Sequence, residues 1–201
     1  MTQPDARTRL LDAAINVIRM QGYSATTVDE ICRAAGVTKG AFFHHFASKD
    51  AMAVAAAQHW TDVTAPMFET APYHAESNPA RRVLDYVAYR KAMLTGRSMA
   101  EFSCLAGTMV QETYDSHPDI REACGASILG HATTLIPDIQ AALDAAGQTT
   151  LSARSLAIFT QSTLQGAFVL AKASGEPAIA AECCDHLTRY LEQIFIKGTV
   201  Q

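Results

Sequence analysis

The sequence predicts an all-α protein in which a small N-terminal helix-turn-helix domain precedes a larger helical domain. Apolar residues recur at spacings of three and four along most of the 201 residues, and no stretch shows the alternation typical of a β-strand. Residues 27–52 carry the caps and the glycine turn of two short helices followed by the start of another. We expect about nine helices in total, with domains at 1–50 and 51–201.

The composition is that of a folded chain, with 49% hydrophobic and 18% charged residues. No apolar run is long enough to cross a bilayer, and the polar N-terminus lacks the apolar region of a signal peptide. We therefore expect a cytoplasmic protein with no membrane partner.

Sequence signatures of metal sites and of catalysis are missing. The five cysteines include no Cys-x-x-Cys pair, and the histidines match no ligand spacing. There is also no nucleophile elbow, phosphate-binding glycine loop or His-Glu-x-x-His sequence. We expect no metal, no cofactor and no enzymatic activity.

The net charge of −4 is unevenly distributed. Residues 1–60 contain six Lys or Arg and five Asp or Glu, so the acidic excess lies in the remainder. The N-terminal segment is only weakly basic, and we expect any nucleic-acid affinity to depend on a few contacts and on dimerisation.

Local signals define the first helices. A helix is expected over 7–21 and ends at Gly22, and Thr27-x-x-Glu30 is a capping box for a helix that ends near residue 35. Gly36 takes the turn, because a side chain there would meet strain at positive φ. The following caps are predicted at Thr38, for a helix that ends near Phe46, and at Ser48, for a helix that runs towards Pro66.

The remaining chain is expected to be helical as well. Residues 66–79 have loop character, and Pro137 is expected to kink a long helix. The predicted helices run over 79–95, 98–114, 119–146, 152–173 and 177–196.

Over residues 8–60 the sequence resembles the TetR family of transcriptional regulators. The resemblance rests on Gly22-Tyr23-x-x-Thr26-Thr27-Val28-x-x-Ile31 and Ala34-x-Gly36-Val37-x-Lys39-Gly40-x-Phe42-x-x-x-Phe46-x-Ser48-Lys49. A weaker similarity covers Cys104-Leu105-Ala106-Gly107 and the segment 166–173. The resemblance to the TetR family implies a homodimer that binds a palindromic double-stranded DNA operator and releases it when a small molecule enters the C-terminal domain.

The short third helix supplies most of the predicted DNA contacts. Its N-terminal residues can meet phosphates and a base edge, a glycine lets the backbone approach the groove, and histidines can donate to phosphate oxygens. The resemblance adds phosphate contacts before the second helix and at the start of the fourth. The full predicted set is Thr26, Thr27, Thr38, Lys39, Gly40, Ala41, Phe43, His44, His45 and Lys49. Many relatives carry tyrosine in place of Phe43, which has no hydroxyl to donate.

We expect an effector pocket in the C-terminal domain. Aromatic and Met side chains at helical spacing usually form core, but a pocket between helices uses the same residue types together with a few polar groups. Polar groups are expected from Tyr89, Gln111, His131 and Gln165. The predicted lining is Trp60, Met67, Phe68, Tyr86, Tyr89, Met93, Phe102, Cys104, Met109, His131 and Phe168.

The last two predicted helices carry apolar stripes that suit a four-helix dimer seam. The stripes are Leu156, Phe159, Thr163, Ala167 and Leu170, and Leu187, Tyr190, Leu191 and Ile194. The same stripes would also serve to close the core of one subunit.

Two alternatives to a ligand-responsive repressor remain open. Cys104 matches the position of the reactive cysteine in a thiol-sensing branch of the family, although Glu101 is the only charged neighbour in sequence and packing is the favoured role. A helical protein–protein adaptor would share the fold without selecting a DNA sequence.

Overall fold

The computed structural model describes residues 4–94, 101 and 103–195, and these residues form α-helices and one short 3-10 helix, with no strand among them. The predicted all-α class is therefore confirmed. None of the described helices is long and apolar enough to span a bilayer. The helices are α1 Ala6–Gln21, α2 Val28–Ala35, α3 Lys39–His45, α4 Lys49–Glu69, the 3-10 helix Pro72–Ala75, α5 Pro79–Ala92, α6 Leu105–Thr113, α7 Pro118–Thr134, α8 Ile136–Ala145, α9 Ala153–Ser174 and α10 Pro177–Phe195.

The chain divides into two compact units, and the division does not follow the order of the sequence. The first unit contains Met1–Ala65 together with Ser103–Ile128. The second contains Pro66–Phe102 and Leu129–Gln201. Helices α4 and α7 each begin in the first unit and end in the second.

The core of the first unit joins helices that are far apart in sequence. Leu10, Ala14 and Ile18 are buried at helical spacing along α1, with Ile31 of α2 in the same core. Side chains from α6 and α7 complete it, namely Leu105, Ala106, Met109, Ile120 and Cys124. The first three helices therefore share their hydrophobic core with chain that lies well beyond residue 100.

The predicted caps of the N-terminal helices are confirmed. Thr27 and Glu30 form the reciprocal capping box of α2, and Gly36 adopts φ +64°, in the left-handed region. The Thr38 hydroxyl accepts from a backbone N–H of α3, and the Ser48 hydroxyl accepts from the backbone N–H of Ala51.

Proline positions account for two differences from the predicted helices. Helix α4 continues past Pro66 to Glu69 instead of ending at the proline, with one main-chain donor missing inside the helix. The helix predicted over 119–146 is two helices, because Pro137 lies in the first turn of α8, where it has no intrahelical bond to break.

The helix predicted over 98–114 is divided, because Glu101 is helical while Ser103 and Cys104 lie outside any helix. Cys104 is the N-cap of α6, which starts at Leu105, and residues 98–100 and 102 lie outside the described residues.

The second unit is built on α5, which packs against α8 and α10, while α9 packs against α8 and α10. Two ion pairs connect α5 to these neighbours: Arg82 with Asp138 at 2.6 Å and Lys91 with Asp185 at 2.6 Å. Gly175, at φ +76°, provides the turn between α9 and α10.

Candidate nucleic-acid interface and effector site

Helix α3 is held to the first unit by one apolar side and exposes the other. Phe42 is fully buried and Phe46, which follows the helix, is also buried, with their ring centroids 5.6 Å apart. The opposite side exposes Lys39, Gly40 and His44. The anchor residues thus fix the helix while its polar edge remains accessible.

Lys39 is exposed and already has an ionic partner. Its Nζ lies 2.9 Å from Oδ1 of Asp29 on α2, and both side chains are more than half exposed. An exposed pair of this kind contributes about 0–1 kcal/mol, so a DNA phosphate can compete with the carboxylate for the ammonium group.

Nothing within the fold requires glycine at position 40. A Cβ built there would meet only the Thr38 Oγ1, at an ordinary contact distance of 3.8 Å, and Gly40 does not adopt positive φ. The neighbouring Ala41 is half-buried. The absence of a side chain at Gly40 therefore matters for a molecule that approaches the exposed side of α3, and not for packing within the fold.

The C-terminal part of α3 is aromatic and weakly basic. Phe43 is 53% exposed and packs edge-on against Phe42 at 5.2 Å. His44 is exposed and His45 half-buried, with ring centroids 5.0 Å apart in the last turn of the helix, where positive charge is favoured.

The two threonines before α2 have different environments. The Thr27 main-chain N–H and hydroxyl both donate to the Glu30 carboxylate at 2.8 Å, within the capping box. Thr26 is buried, and its hydroxyl donates to the Gly22 carbonyl at 2.6 Å. The burial of Thr26 does not suit the phosphate contact that the resemblance implied, and we assign this residue a positioning role.

Lys49 fixes the turn between α1 and α2. Its Nζ donates to the carbonyl oxygens of Tyr23 and Thr26 at 3.1 and 3.0 Å and lies 4.2 Å from the centre of the Tyr23 ring. The Tyr23 hydroxyl donates to the Asp50 carboxylate, and burial together with this bond raises the pKa of Tyr23 above its ordinary value. The predicted phosphate clamp therefore also supports the backbone that leads into α2.

Glu112 of α6 contacts the same turn, and sequence reasoning did not identify it. Its carboxylate accepts from the backbone N–H of Tyr23 at 3.0 Å and of Ser24 at 2.8 Å. The preceding Gly22 has φ +90°, and a Cβ added there would lie 2.5 Å from Oε1 of Glu112. The partners are 89 residues apart, so no local pattern could reveal the contact.

Three predicted pocket residues belong to the first unit. Trp60 lies under the Arg19 guanidinium, at 4.8 Å from the ring, and Arg19 donates to the Ser103 carbonyl at 2.7 Å. Met109 is fully buried in the core of the first unit, a position that suits packing rather than ligand contact. The Cys104 sulfur accepts from the Gly107 N–H at 3.4 Å as the cap of α6.

The second unit brings five of the predicted pocket residues together. The Phe68 ring lies 4.4 Å from His131, 6.3 Å from Tyr86 and 6.0 Å from Tyr89. The fifth residue, Phe168, joins this aromatic cluster through Arg90, which contacts both the Phe68 and the Phe168 rings. Met67 is at the surface and Met93 half-buried, while Phe102 lies outside the described residues.

Arg90 lies in the middle of the aromatic cluster, and the prediction omitted it. Its guanidinium carbon is 5.3 Å from the Phe68 ring centre and 5.6 Å from that of Phe168. One of its nitrogens lies 3.4 Å from the Tyr86 hydroxyl and 3.3 Å from His131 Nε2. A sequence signal did exist, because Arg90 falls on the same buried stripe of α5 as Val83, Tyr86 and Val87.

Two titratable groups of this cluster, His131 and Tyr86, have shifted pKa values that keep them uncharged. Burial, together with the neighbouring Arg90 charge, lowers the pKa of His131 to about 3. Burial raises the pKa of the Tyr86 hydroxyl. The imidazole is therefore neutral and the phenol protonated near pH 7, with the Tyr86 oxygen 2.9 Å from His131 Nε2.

The predicted dimer residues separate into buried and exposed sets. Leu156, Ala167, Leu187, Leu191 and Ile194 are buried within the subunit, which suits the alternative that the stripes close the core of one subunit. The predicted stripes therefore include residues of the subunit core as well as residues of its surface. The large side chains left at the surface are Phe159, Leu170 and Tyr190, with Thr163 half-buried beside them.

Comparison with known proteins identifies the family. The model described as "Bacterial regulatory proteins, tetR family" matches residues 10–56, and the model described as "Transcriptional regulator LmrA/YxaF-like, C-terminal domain" matches residues 79–182. The chain belongs to the TetR family of transcriptional regulators. The resemblance noted in the sequence is thereby confirmed over both the helix-turn-helix and the C-terminal region.

Individual curated relatives match shorter segments. The uncharacterized regulator YerO of Bacillus subtilis is 28% identical over 80 residues, and the A-factor receptor protein of Streptomyces griseus is 37% identical over 76 residues. These segments cover 40% and 38% of this chain but only 28% and 25% of the two relatives. The chain thus spans much less than two thirds of the curated relatives that it matches.

A solved structure of a TetR-family protein shares the whole fold. Regulatory protein TetR from Rhodobacter sphaeroides superposes with a TM-score of 0.78 over 95% of this chain and 99% of that one, at 23% identity. At this identity the likeness establishes the fold alone.

Proposed function

We propose that this TetR-family chain is a homodimeric repressor that binds a palindromic operator and releases it when a small molecule binds. The observation that carries the proposal is the arrangement of α3. Phe42 and Phe46 anchor the helix, and Lys39, Gly40 and His44 are exposed along its free edge. A seven-residue helix held in this way can enter a major groove without rearrangement of its own unit.

The DNA contacts divide into direct and supporting ones. Lys39 exchanges its exposed partner Asp29 for a phosphate, and Gly40 allows the backbone close to the bases. Lys49 and Thr26 support the turn before α2, so the backbone N–H groups at the start of α2 face a phosphate in a fixed orientation.

The dimer forms through the exposed face of α9 together with Tyr190 of α10. Between Ser155 and Leu170 of α9 the exposed positions follow helical spacing and carry no charge, and the Phe159 ring packs against Tyr190 at 5.0 Å. Because Gly166 has nothing within 4 Å of its Cβ position, a partner helix can approach closely there. The face consists of Ser155, Phe159, Ser162, Gly166, Val169 and Leu170.

The small-molecule site lies in the second unit, at the aromatic cluster around Arg90. This placement follows from the burial of polar groups among rings, which is typical of ligand sites between helices. The ligand shifts the population of dimers away from the DNA-competent arrangement, by an amount set by its difference in affinity between the two.

Selection from random double-stranded DNA tests the regulatory function. We expect a palindrome whose half-sites are separated by about one helical turn, roughly 34 Å, and an affinity that falls steeply with salt. Lys39→Ala should reduce the salt slope by about 1, whereas the exposed Arg81→Ala of the second unit should leave it unchanged. Failure to select a palindrome, with little salt dependence, would favour the protein–protein adaptor.

A thiol sensor is the second candidate, because Cys104 combines partial exposure with an N–H contact at the start of a helix. Treatment of the protein–DNA complex with hydrogen peroxide or an electrophile tests it. Release that disappears in Cys104→Ser would establish this function instead of ligand-induced release.

A further inference from the structure

Arg90 is a buried cation surrounded by neutral groups. Only 9% of the residue is exposed, on the inner side of α5. Its guanidinium contacts two aromatic rings, a phenol and a neutral imidazole, and the two nitrogen contacts are long, at 3.3 and 3.4 Å. These neighbours stabilise a positive charge weakly, and both nitrogen contacts are made by the same guanidinium nitrogen, Nη1.

No carboxylate compensates this charge. Among the described residues, which include every Asp and Glu of the chain, none lies within ion-pair distance of Arg90. Two acidic groups on neighbouring helices pair with other cations, Asp138 with Arg82 and Asp185 with Lys91. A buried cation without a counter-ion is strongly unfavourable, and an anion bound beside Arg90 would offset this cost.

Unpaired polar atoms on α9 point to the same place. Gln161 is 5% exposed, and its Oε1 has no hydrogen-bond partner within the described part of the chain. The Nε2 of Gln165 is buried and lacks a partner there as well. Positions 161, 165 and 168 lie on one helix face, and the third is Phe168, whose ring contacts Arg90. Buried amides are normally satisfied, so these two have capacity for a bound molecule.

We infer that the effector is a small organic carboxylate with a flat apolar body. The carboxylate pairs with the Arg90 guanidinium and accepts from the Tyr86 hydroxyl, while the body packs against Phe68 and Phe168. Gln161 and Gln165 bind a polar substituent on the body. This inference rests on the proposed ligand-responsive function and specifies the chemical class of its ligand.

The charge of the site selects a monoanion. Arg90 contributes one positive charge, and His131 adds none near pH 7 because burial keeps its pKa at about 3. A dianion would bring an uncompensated negative charge into the same apolar surroundings.

Matched acid and amide pairs test the inference with the intact protein. Benzoate and cinnamate are titrated calorimetrically against benzamide and cinnamamide, which keep the shape and remove the charge. We expect the acids to bind about 10- to 100-fold more tightly, as for hydrogen bonds to a charged group. Equal affinity for acid and amide, or no saturable binding of either acid at millimolar concentration, would overturn the inference without any variant having to fold.

Two variants locate the charge selectivity. Arg90→Gln should remove the preference for acid over amide, and Arg81→Gln, an exposed arginine on the same helix, should keep it. A preference that survives Arg90→Gln in folded protein would assign the anion to another site and refute the inference.

DNA binding is measured separately, so the two proposals can fail independently. If the amides release the operator as well as the acids do, the repressor function is supported and the carboxylate class of the effector is refuted. If the protein binds the acids but selects no operator, the anion site is supported and the repressor function is refuted.

Discussion

The contact between Gly22 and Glu112 can be tested by a double-mutant cycle. In the native turn Gly22 has φ +90° and ψ 163°, a conformation that is nearly restricted to glycine. Its missing side chain leaves room for the Glu112 carboxylate, which accepts from the next two backbone N–H groups. Gly22→Ala therefore strains the backbone and also displaces the carboxylate.

The expected magnitudes follow from these contacts. Glu112→Ala removes two hydrogen bonds to a charged group; because the side chain is solvent-exposed, we expect a loss of about 1–2 kcal/mol in total rather than the full buried value. Gly22→Ala should lose about 1–3 kcal/mol from backbone strain, and the same hydrogen bonds in addition. The double variant loses the bonds only once, so its destabilisation should fall short of the sum by about 1–2 kcal/mol.

Urea unfolding followed by circular dichroism measures the cycle. Gly125→Ala in α7 is the matched control, because nothing lies within 4 Å of its Cβ position and its φ is not positive. Its effect should add to that of Glu112→Ala. Additivity in the Gly22 cycle would show that the carboxylate and the glycine act independently and would refute the reasoning.

Three further predictions concern other sites. Gly40→Ala should stabilise the fold by about 0.5–1 kcal/mol, since the residue is helical, yet weaken operator binding in a gel-shift titration; unchanged DNA affinity would contradict the role of the bare backbone. For His131 the folded-state pKa of about 3 lies below the ordinary 6.5, so the unfolded chain binds the extra proton and the free energy of unfolding falls as pH drops through 6.5. Between pH 7 and 5 this group should account for about 2 kcal/mol, which His131→Gln would lose from its urea-unfolding pH profile; identical profiles would argue against a buried neutral imidazole. Cys104→Ser should retain the cap of α6, because serine is a good N-cap, and a purified variant should release DNA with the effector as the parent does. Loss of effector release in that variant would count against a purely structural cysteine.

Features set by neighbouring residues could be predicted from sequence. The caps at Thr27 and Thr38 and the turn at Gly36 each depend on side-chain chemistry within four positions, and the structure has them as expected. Prolines were harder to interpret, because a proline ends, interrupts or begins a helix according to the packing around it. Pro66 is tolerated inside a helix, while Pro137 begins one.

The sites depended on contacts that sequence patterns do not encode. An amphipathic stripe indicates that a helix face is covered, but it does not distinguish a partner subunit from the rest of the same subunit. Leu187 and Leu191 were for this reason predicted as dimer residues, and the structure buries them in the subunit core. Nothing in the sequence distinguishes Glu112 from the other acidic residues, and only the fold brings its carboxylate to two backbone N–H groups. Arg90 was in principle detectable, since a charge on an apolar stripe is unusual.

The shared core of α1, α6 and α7 limits how DNA specificity can be exchanged between relatives. A fragment that stops after α4 would leave Leu10 and Ile18 without the cover of Leu105 and Met109, and we expect it not to fold alone. In a chimera that takes only its first fifty residues from another protein, those residues would pack against residues 103–128 of this chain, a surface with which they did not evolve. To transfer a foreign operator preference, the segment 103–128 must therefore be exchanged together with the helix-turn-helix.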